Sequence, residues 1–553
     1  MPAAVKEIPP VWTTGWTDVL NTGTWRSAIP VHQRRSSPCQ VSCPAASEIP
    51  VWLQQLKEGQ HYRAWLTLVE NNPFPAVTGR VCHHPCEGSC NRGEYDGAVA
   101  VNALERFVGD LALKEGWSFQ EPAAQKGARV AVVGAGPAGL SCAYQLRKSG
   151  YEVTVFEKQP EPGGVLRYGI PGYRLPKEIV AGEVRRILNT GIELKVNAAV
   201  RGEDLLALEK DYAAVCLAMG APGAKTLPQF PAGDRRVLDG LHFLAGVNQG
   251  QIPDVGPRVA VIGGGSVAMD VARTARRLGK QVKVLALEDG SSLPAQREEV
   301  QEALEEGVTI LDGVMVRAAE SAGQQLGLAC VKVVLDPAAP AGVLRPVVIP
   351  GTDFQLFADT VILAVGQDPE LAGFSGNLRL DNSILAVDPF QATSRPGIFA
   401  CGDVASSVRY VSAAVGAGSL AARSIAAFLE GRTVEGGDKK PDLVSFAEIN
   451  TFYFPVTGRL DKKALPPGLR LRDFSEVKPA FSGEEALAQA ERCFSCGHCV
   501  KCDNCFYYCP DQAVVKSPDP EQDYGVQDQY CKGCGLCVEE CPRGAVMLQE
   551  VRR

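Results

Sequence analysis

Fifteen of the 19 cysteines in this 553-residue chain fall in two stretches, 39–90 and 493–541, and their spacing points to metal chemistry. Cys499-x2-Cys502-x2-Cys505-x3-Cys509-Pro510 is followed by Cys531-x2-Cys534-x2-Cys537-x3-Cys541-Pro542. This doubled run holds two [4Fe–4S] groups, the fourth cysteine of each run crossing to the other group. It predicts one quartet of Cys499, Cys502, Cys505 and Cys541, and another of Cys531, Cys534, Cys537 and Cys509. Thiolates suit iron–sulfur, and zinc would need neither the prolines nor the doubling. The earlier set is Cys39-x3-Cys43, then Cys82-x3-Cys86-x3-Cys90, a count of five that does not divide by four. Cys493 and Cys496 precede the C-terminal run without being needed by it.

A second chemistry lies in two glycine turns. Gly134-Ala135-Gly136-Pro137-Ala138-Gly139 follows the apolar run RVAVV and opens an Ala/Leu-rich helix. The first glycine permits the tight turn, the second lets a pyrophosphate approach, and the third lets helix and strand pack. Glu157 ends the next strand 18 residues past Gly139, where an acid holds ribose hydroxyls. Gly263-Gly264-Gly265-Ser266-Val267-Ala268 repeats the device, and Glu288 follows 20 residues after Ala268. Two such folds predict one flavin and one nicotinamide. The later segment Gly397-Ile-Phe-Ala-Cys401-Gly402-Asp403 looks like the box whose Asp holds the flavin ribityl chain. It would return the chain to the first fold, with the second inserted into it. FAD is expected in the outer fold and NAD(H) in the inner one.

The elements that must position these residues divide the chain as follows. A helical iron–sulfur domain is expected at 1–120, with helical patches at 49–70 and 98–115. The FAD domain takes 121–245 and 367–435, around an NAD(H) domain at 246–366. A linker at 436–485 leads to an α+β iron–sulfur module at 486–553. Strands near 151–157, 282–287 and 360–365 complete βαβ units. The fold class is therefore multidomain α/β. A net charge of −7 without a basic run makes the chain a poor nucleic-acid candidate, and no nucleic-acid partner is expected. The start MPAAVKEIPPVW lacks basic and apolar signal regions, so a cytoplasmic setting is expected. Residues 410–429 have the length of a membrane span, but are Ala/Gly/Ser-rich and contain Arg423, so they are expected to form a buried helix.

Gly163-Gly164-Val165-Leu166-Arg167-Tyr168-Gly169-Ile170-Pro171 followed by Arg174-Leu175-Pro176-Lys177 resembles the hallmark of the glutamate synthase small-subunit family. That family includes the flavin subunit of NADH-dependent ferredoxin:NADP oxidoreductase and the flavin half of dihydropyrimidine dehydrogenase. The resemblance runs from about residue 40 to 430, and the C-terminal run is that of bacterial two-cluster ferredoxins. It implies flavin contacts at Gly164, Val165, Arg174 and Val200, and a nicotinamide-side contact at Gly366. It also implies that residues 79–107 belong to a cluster domain in which Cys43, Cys82, Cys86 and Glu105 hold one cluster. The family supplies a Cys-x2-Cys in an A-x-R-C-x-x-C context upstream of Cys39. Here that context is Ala490-Glu491-Arg492-Cys493-Phe494-Ser495-Cys496. Cys493 and Cys496 are thus expected to complete a fourth cluster with Cys39 and Cys90; otherwise they are spares and three clusters form. His32, His83 and His84 are alternative ligands. Cys142, Cys216, Cys330 and Cys401 are expected to be buried, inert thiols.

Family members that use NADPH carry paired arginines where this chain has Leu287 and Glu288. An acid accepts a free 2′-hydroxyl and repels a 2′-phosphate, so NADH is expected. No catalytic acid or base is required. The expected function is electron transfer among NADH, FAD and four [4Fe–4S] clusters, to or from ferredoxin or the subunit of a larger redox enzyme. A homodimer or hetero-oligomer is expected. The alternatives are a glutamate synthase small subunit and a non-enzymatic wiring subunit.

Overall fold

A computed structural model describes residues 26–551, apart from 232, 341, 375, 377, 435–440, 462–463 and 518–522. The N-terminal dodecapeptide and the start of the 436–485 linker lie outside the described residues.

The runs RVAVV and RVAVI become the central strands Arg129–Val133 and Arg258–Ile262, each buried in all but its first residue. Strands buried on both faces belong in parallel sheets covered by helices. Accordingly, the first sheet is parallel, in the order Ile398–Ala400, Ala214–Leu217, Arg129–Val133, Glu152–Phe156 and Glu193–Lys195. The second is also parallel, in the order Thr309–Leu311, Gln281–Leu285, Arg258–Ile262, Thr360–Leu363 and Val237–Asp239. The return of 398–400 to the first sheet makes the second an insertion. Val237–Asp239 places the start of the inserted fold ahead of residue 246. An antiparallel sheet of Val314–Ala322, Gln325–Leu335, Pro346–Val348 and Phe354–Ala358 extends it.

Helix Val411–Leu429 is long and apolar enough to cross a membrane. Its small residues instead pack it against helix Pro137–Lys148: a Cβ on Gly418 would stand 2.2 Å from the Ala138 carbonyl oxygen. The Ser141 hydroxyl donates to the Val415 carbonyl at 2.8 Å.

The two cysteine-bearing regions are interlocked rather than separate. Strand Ala28–His32 pairs antiparallel with Val546–Glu550. Residues 28–32 therefore complete the C-terminal module and not the helical domain in which 1–120 placed them. In return, helix Gly483–Glu491 buries Ala486 and Ala490 in the core formed by helices Ile49–Lys57, His61–Val69 and Val101–Lys114. The described part of the 436–485 segment is a packed strap: Val444, Val477 and Phe481 are buried, and Ser36 bridges to Leu443.

Candidate redox centres and nucleotide sites

The first glycine turn is built by backbone contact. Gly134 has φ +105°, and a Cβ there would lie 2.5 Å from the Ala218 oxygen. A Cβ on Gly139 would lie 1.9 Å from the Gly134 oxygen, whereas one on Gly136 meets nothing within 4 Å. That open face is where a pyrophosphate fits, at the N-terminus of helix Pro137–Lys148. Ala138 is buried beneath it. Buried Glu157 accepts from the Ala135 and Gln159 amides, both at 2.8 Å. Each carboxylate oxygen keeps a second lone pair for a ribose hydroxyl.

Neighbouring segments close the same cradle. Gly164 sits so tightly that its Cβ would meet the Gly136 Cα at 2.9 Å, and Val165 begins a short helix with its side chain exposed. Gly402, φ +75°, packs against Ala138. Burial raises the Asp403 carboxyl above its ordinary range, against the pull of Arg409. Val200 packs on the opposite face of the first sheet, against the cluster that includes Val133 and Leu217.

The second turn repeats the geometry. A Cβ on Gly263 (φ +129°) would stand 2.3 Å from the Ala364 oxygen, while one on Gly265 meets nothing within 4 Å. Ser266 begins helix Ser266–Arg277, and Val267 packs partly into the core beneath it. Glu288 is buried with Oε2 3.0 Å from where a Gly264 Cβ would be, so its carboxylate faces the turn. Gly366 (φ +104°) lies in the link between strands Thr360–Leu363 and Gln367–Asp368, beside Lys225.

Arg174 is placed differently from the expected flavin contact. Its guanidinium reaches into the inserted fold, to Asp270 at 2.7 Å and Glu299 at 2.5 Å. Half-buried between these two carboxylates, it is held charged despite the desolvation that opposes the charge. It joins His83, His84 and Lys478 in lining a cavity of about 480 Å³ between the helical domain and the inserted fold.

The clustered cysteines and Glu105 lie within electrostatic reach of one another in four neighbourhoods, although among the described residues no three His, Cys, Asp or Glu side chains close around a single metal ion. Cys39 lies within electrostatic reach of Cys493, Cys90 and Cys496; burial drives its thiol pKa far up and these neighbours add to the rise. Cys86 lies likewise with Cys43, Cys82 and Glu105. Burial, with Glu105 next, pushes Cys82 up to about 12. Cys505 lies with Cys499, Cys541 and Cys502, and Cys537 with Cys509, Cys531 and Cys534. Every one of these cysteines is a free thiol. Thiols gathered in one place repel one another once ionised, and a cationic cubane removes that penalty. Hydrogen bonds already aim at the sulfurs: the Ser495 amide to Cys493 at 3.3 Å, the Ala513 amide to Cys509 at 3.2 Å, and the Asn91 side chain to Cys496 at 3.4 Å. Such donors favour thiolate ligands, so the residues fit clusters. Glu105 accepts from Asn72 at 2.7 Å and Thr78 at 2.8 Å, which fixes its carboxylate toward the thiols.

Three stretches match described families: 128–418, pyridine nucleotide-disulphide oxidoreductase; 29–117, dihydropyrimidine dehydrogenase domain II, 4Fe-4S cluster; and 498–545, 4Fe-4S dicluster domain. The beta subunit of NADP(+)-dependent formate dehydrogenase from Moorella thermoacetica is 36% identical over 501 residues, covering 83% of this chain and 70% of that one. The glutamate synthase [NADPH] small chain of Azospirillum brasilense is 33% identical over 417 residues, covering 71% and 86%. Subunit PreT of the NAD-dependent dihydropyrimidine dehydrogenase of Escherichia coli is 34% identical over 400 residues, covering 71% and 92%. The chain belongs to the glutamate synthase small-chain family of pyridine nucleotide oxidoreductases.

Within this small-chain family member, several supporting residues carried no signal that spacing could reveal. Arg92, buried, donates to the Arg492 carbonyl at 2.8 Å and the Pro455 carbonyl at 2.7 Å, and stacks over Phe494 at 4.7 Å. Ser412, buried in the first turn of helix Val411–Leu429, lies near Cys82 and counters part of the rise in its thiol pKa. Of the histidines, His84 turns its Nδ1 to the Cys82 carbonyl at 3.0 Å, and His83 packs at a tilt against Tyr410, ring centroids 4.2 Å apart. The His84 amide donates to the Cys82 sulfur at 3.2 Å, and the His32 ring meets the sulfur of Cys505. Cys142, Cys216, Cys330 and Cys401 are buried in apolar cores, with Cys216 and Cys401 sulfurs 3.5 Å apart.

Proposed function

We propose that this flavin and iron–sulfur oxidoreductase carries electrons between NADH and a partner redox subunit, through FAD and four [4Fe–4S] clusters. The observation that carries this reading is the close approach of helix Val411–Leu429, which follows the flavin box, to the loop bearing Cys43: a Cβ on Gly416 would stand 1.9 Å from the Pro44 carbonyl oxygen. It brings the flavin fold directly against the group of Cys43, Cys82 and Cys86.

When bound, a flavin takes hydride from a nicotinamide as a pair and gives electrons up singly. The chain's residues bind and orient. Gly134, Gly136, Gly139 and Glu157 hold the outer dinucleotide, and Gly263, Gly265, Ser266 and Glu288 the inner one. The Arg174–Asp270–Glu299 triad fixes one fold against the other, so that the two ligands meet at a set distance. Buried Glu288 at the second turn supports NADH, although the formate dehydrogenase and glutamate synthase relatives are named for NADP. PreT is named for NAD. The relatives' names also support a place as the nucleotide-handling subunit of a hetero-oligomer. A soluble cytoplasmic setting and a ferredoxin-type acceptor accord with this reading.

Anaerobic stopped-flow mixing with NADH tests it. Flavin absorbance is expected to bleach first, with reduced-cluster EPR signals following. Bleaching without cluster reduction would refute it.

A further inference from the structure

Strand Ala28–His32 ends on a histidine, and the register His32↔Val546 brings that residue beside the C-terminal module. The His32 Nε2 stands 3.4 Å from the Cys505 Sγ, across 473 residues of sequence. The ring is held in place by Tyr524, centroid to centroid 5.4 Å, and Tyr524 is itself fixed by donating to Asp503 at 2.7 Å. Buried Nδ1 has no hydrogen-bond partner among the described residues. With nothing to receive a proton at Nδ1, the neutral ring places its N–H at Nε2, against the sulfur. Cys499, Cys509 and Cys531 each receive a backbone amide, from Lys501, Ala513 and Gly533. Cys505 receives a side chain.

We propose that His32 is a positioning residue that tunes one cluster, raising the reduction potential of the group held by Cys499, Cys502, Cys505 and Cys541 through an Nε2–H···Sγ hydrogen bond. This rests on the cluster assignment above. Reduction adds negative charge that spreads onto the ligand sulfurs, and a donor aimed at a sulfur stabilises that charge. The bond is charge-assisted, the stronger class of hydrogen bond. Its loss should change the reduced-to-oxidised ratio at fixed potential about tenfold, or about 59 mV for a one-electron couple. The strand's own pairing uses backbone groups, so the side chain can change without releasing it. The strand thus brings the module a ligand-shell donor as well as an extra edge.

The test is an EPR-monitored redox titration of the full chain, with iron counted in each variant. In His32→Leu one of the two C-terminal clusters should shift to lower potential and the other stay put. His32→Gln, which can offer an amide N–H from nearly the same place, should recover most of the shift. Unmoved potentials in a His32→Leu protein with full iron would overturn the proposal. Should His32→Leu lose iron, wild-type protein labelled with 15N in the histidine ring decides. A weak histidine nitrogen coupling to a reduced cluster supports the bond, and its absence overturns it. Wild-type protein without the two-cluster signal would overturn the cluster assignment itself, which is a distinguishable result.

Discussion

The guanidinium of Arg492 meets the carboxylate of Asp96, 396 positions earlier in the chain, at 2.9 Å. Both side chains are almost wholly buried, at 2% and 5% exposure. Arg492 also donates to the carbonyls of Gly97, Ala98 and Thr457. Asp96 takes Arg92 as well, at 2.6 Å. This clasp holds Cys493 and Cys496 against Cys39 and Cys90. Asp96→Ala leaves two buried guanidiniums unpaired, a loss of about 3–5 kcal/mol. Thermal unfolding should show the drop, and iron analysis the loss of one cluster's worth of metal. A variant as stable as wild type would refute the role.

The clasp has a definite pH window. Burial works against the Asp96 charge, but hydrogen bonds from Arg92, the Thr457 amide and Arg492 outweigh it and hold the carboxyl down at about 2. A depressed folded value gives stabilisation that is fully present above the unfolded value of 3.8 and is lost as pH falls through about 2. Iron retention at this group should therefore be flat between about pH 8 and 5. A loss titrating near neutrality would mean that another group controls the clasp.

Replacing Cys493 and Cys496 by Ser should lower iron from about sixteen to about twelve per chain. The two ferredoxin-type clusters should keep their EPR signals. The strap at 441–480 should also become easier to nick with protease. Full iron and unchanged resistance to nicking would show that Cys39 and Cys90 find partners elsewhere.

Glu288→Arg should move nucleotide preference toward NADPH, measured as rates of flavin bleaching. The carboxylate faces the Gly264 turn, and the exchange replaces a group that repels a 2′-phosphate with one that attracts it. Equal or faster bleaching of the unaltered chain by NADPH would refute the NADH reading.

Gly136→Ala and Gly139→Ala should fail in different ways. The first adds a methyl to open space, so it should fold with near-normal Tm but retain less flavin. The second drives a Cβ to 1.9 Å from the Gly134 oxygen, so it should lower stability itself. Calorimetry and flavin absorbance separate the two. Loss of stability in Gly136→Ala would mean that the space is not a ligand's.

Local chemistry was legible in the sequence. Gly134, Gly139 and Gly263 make turns whose requirements lie within a few residues, so their motif predicted their geometry. The nesting of the two folds was legible because Gly402-Asp403 reads as part of the first. The ligand count pointed to Cys493 and Cys496, although spacing alone could not say that Arg492 and Asp96 hold them there. The pairing of 28–32 with 546–550 left no such trace. A five-residue strand that pairs with a partner more than 500 positions away has no periodicity of its own to reveal it. Arg174 shows the opposite limit: its motif was recognised, but its partners Asp270 and Glu299 depend on how two folds meet.

The exchange of segments between the two cysteine-bearing regions also sets an order of events at the ribosome. When the helices around Trp52 and Trp65 have emerged, Cys39 and Cys90 still lack half of their group, and strand 28–32 has no edge to join. Both wait until residues beyond 490 have been translated. A cluster at that group, as proposed, would therefore form only after the chain's far end has arrived, and a chain cut short in either nucleotide fold would carry only the Cys39–Cys90 half-site.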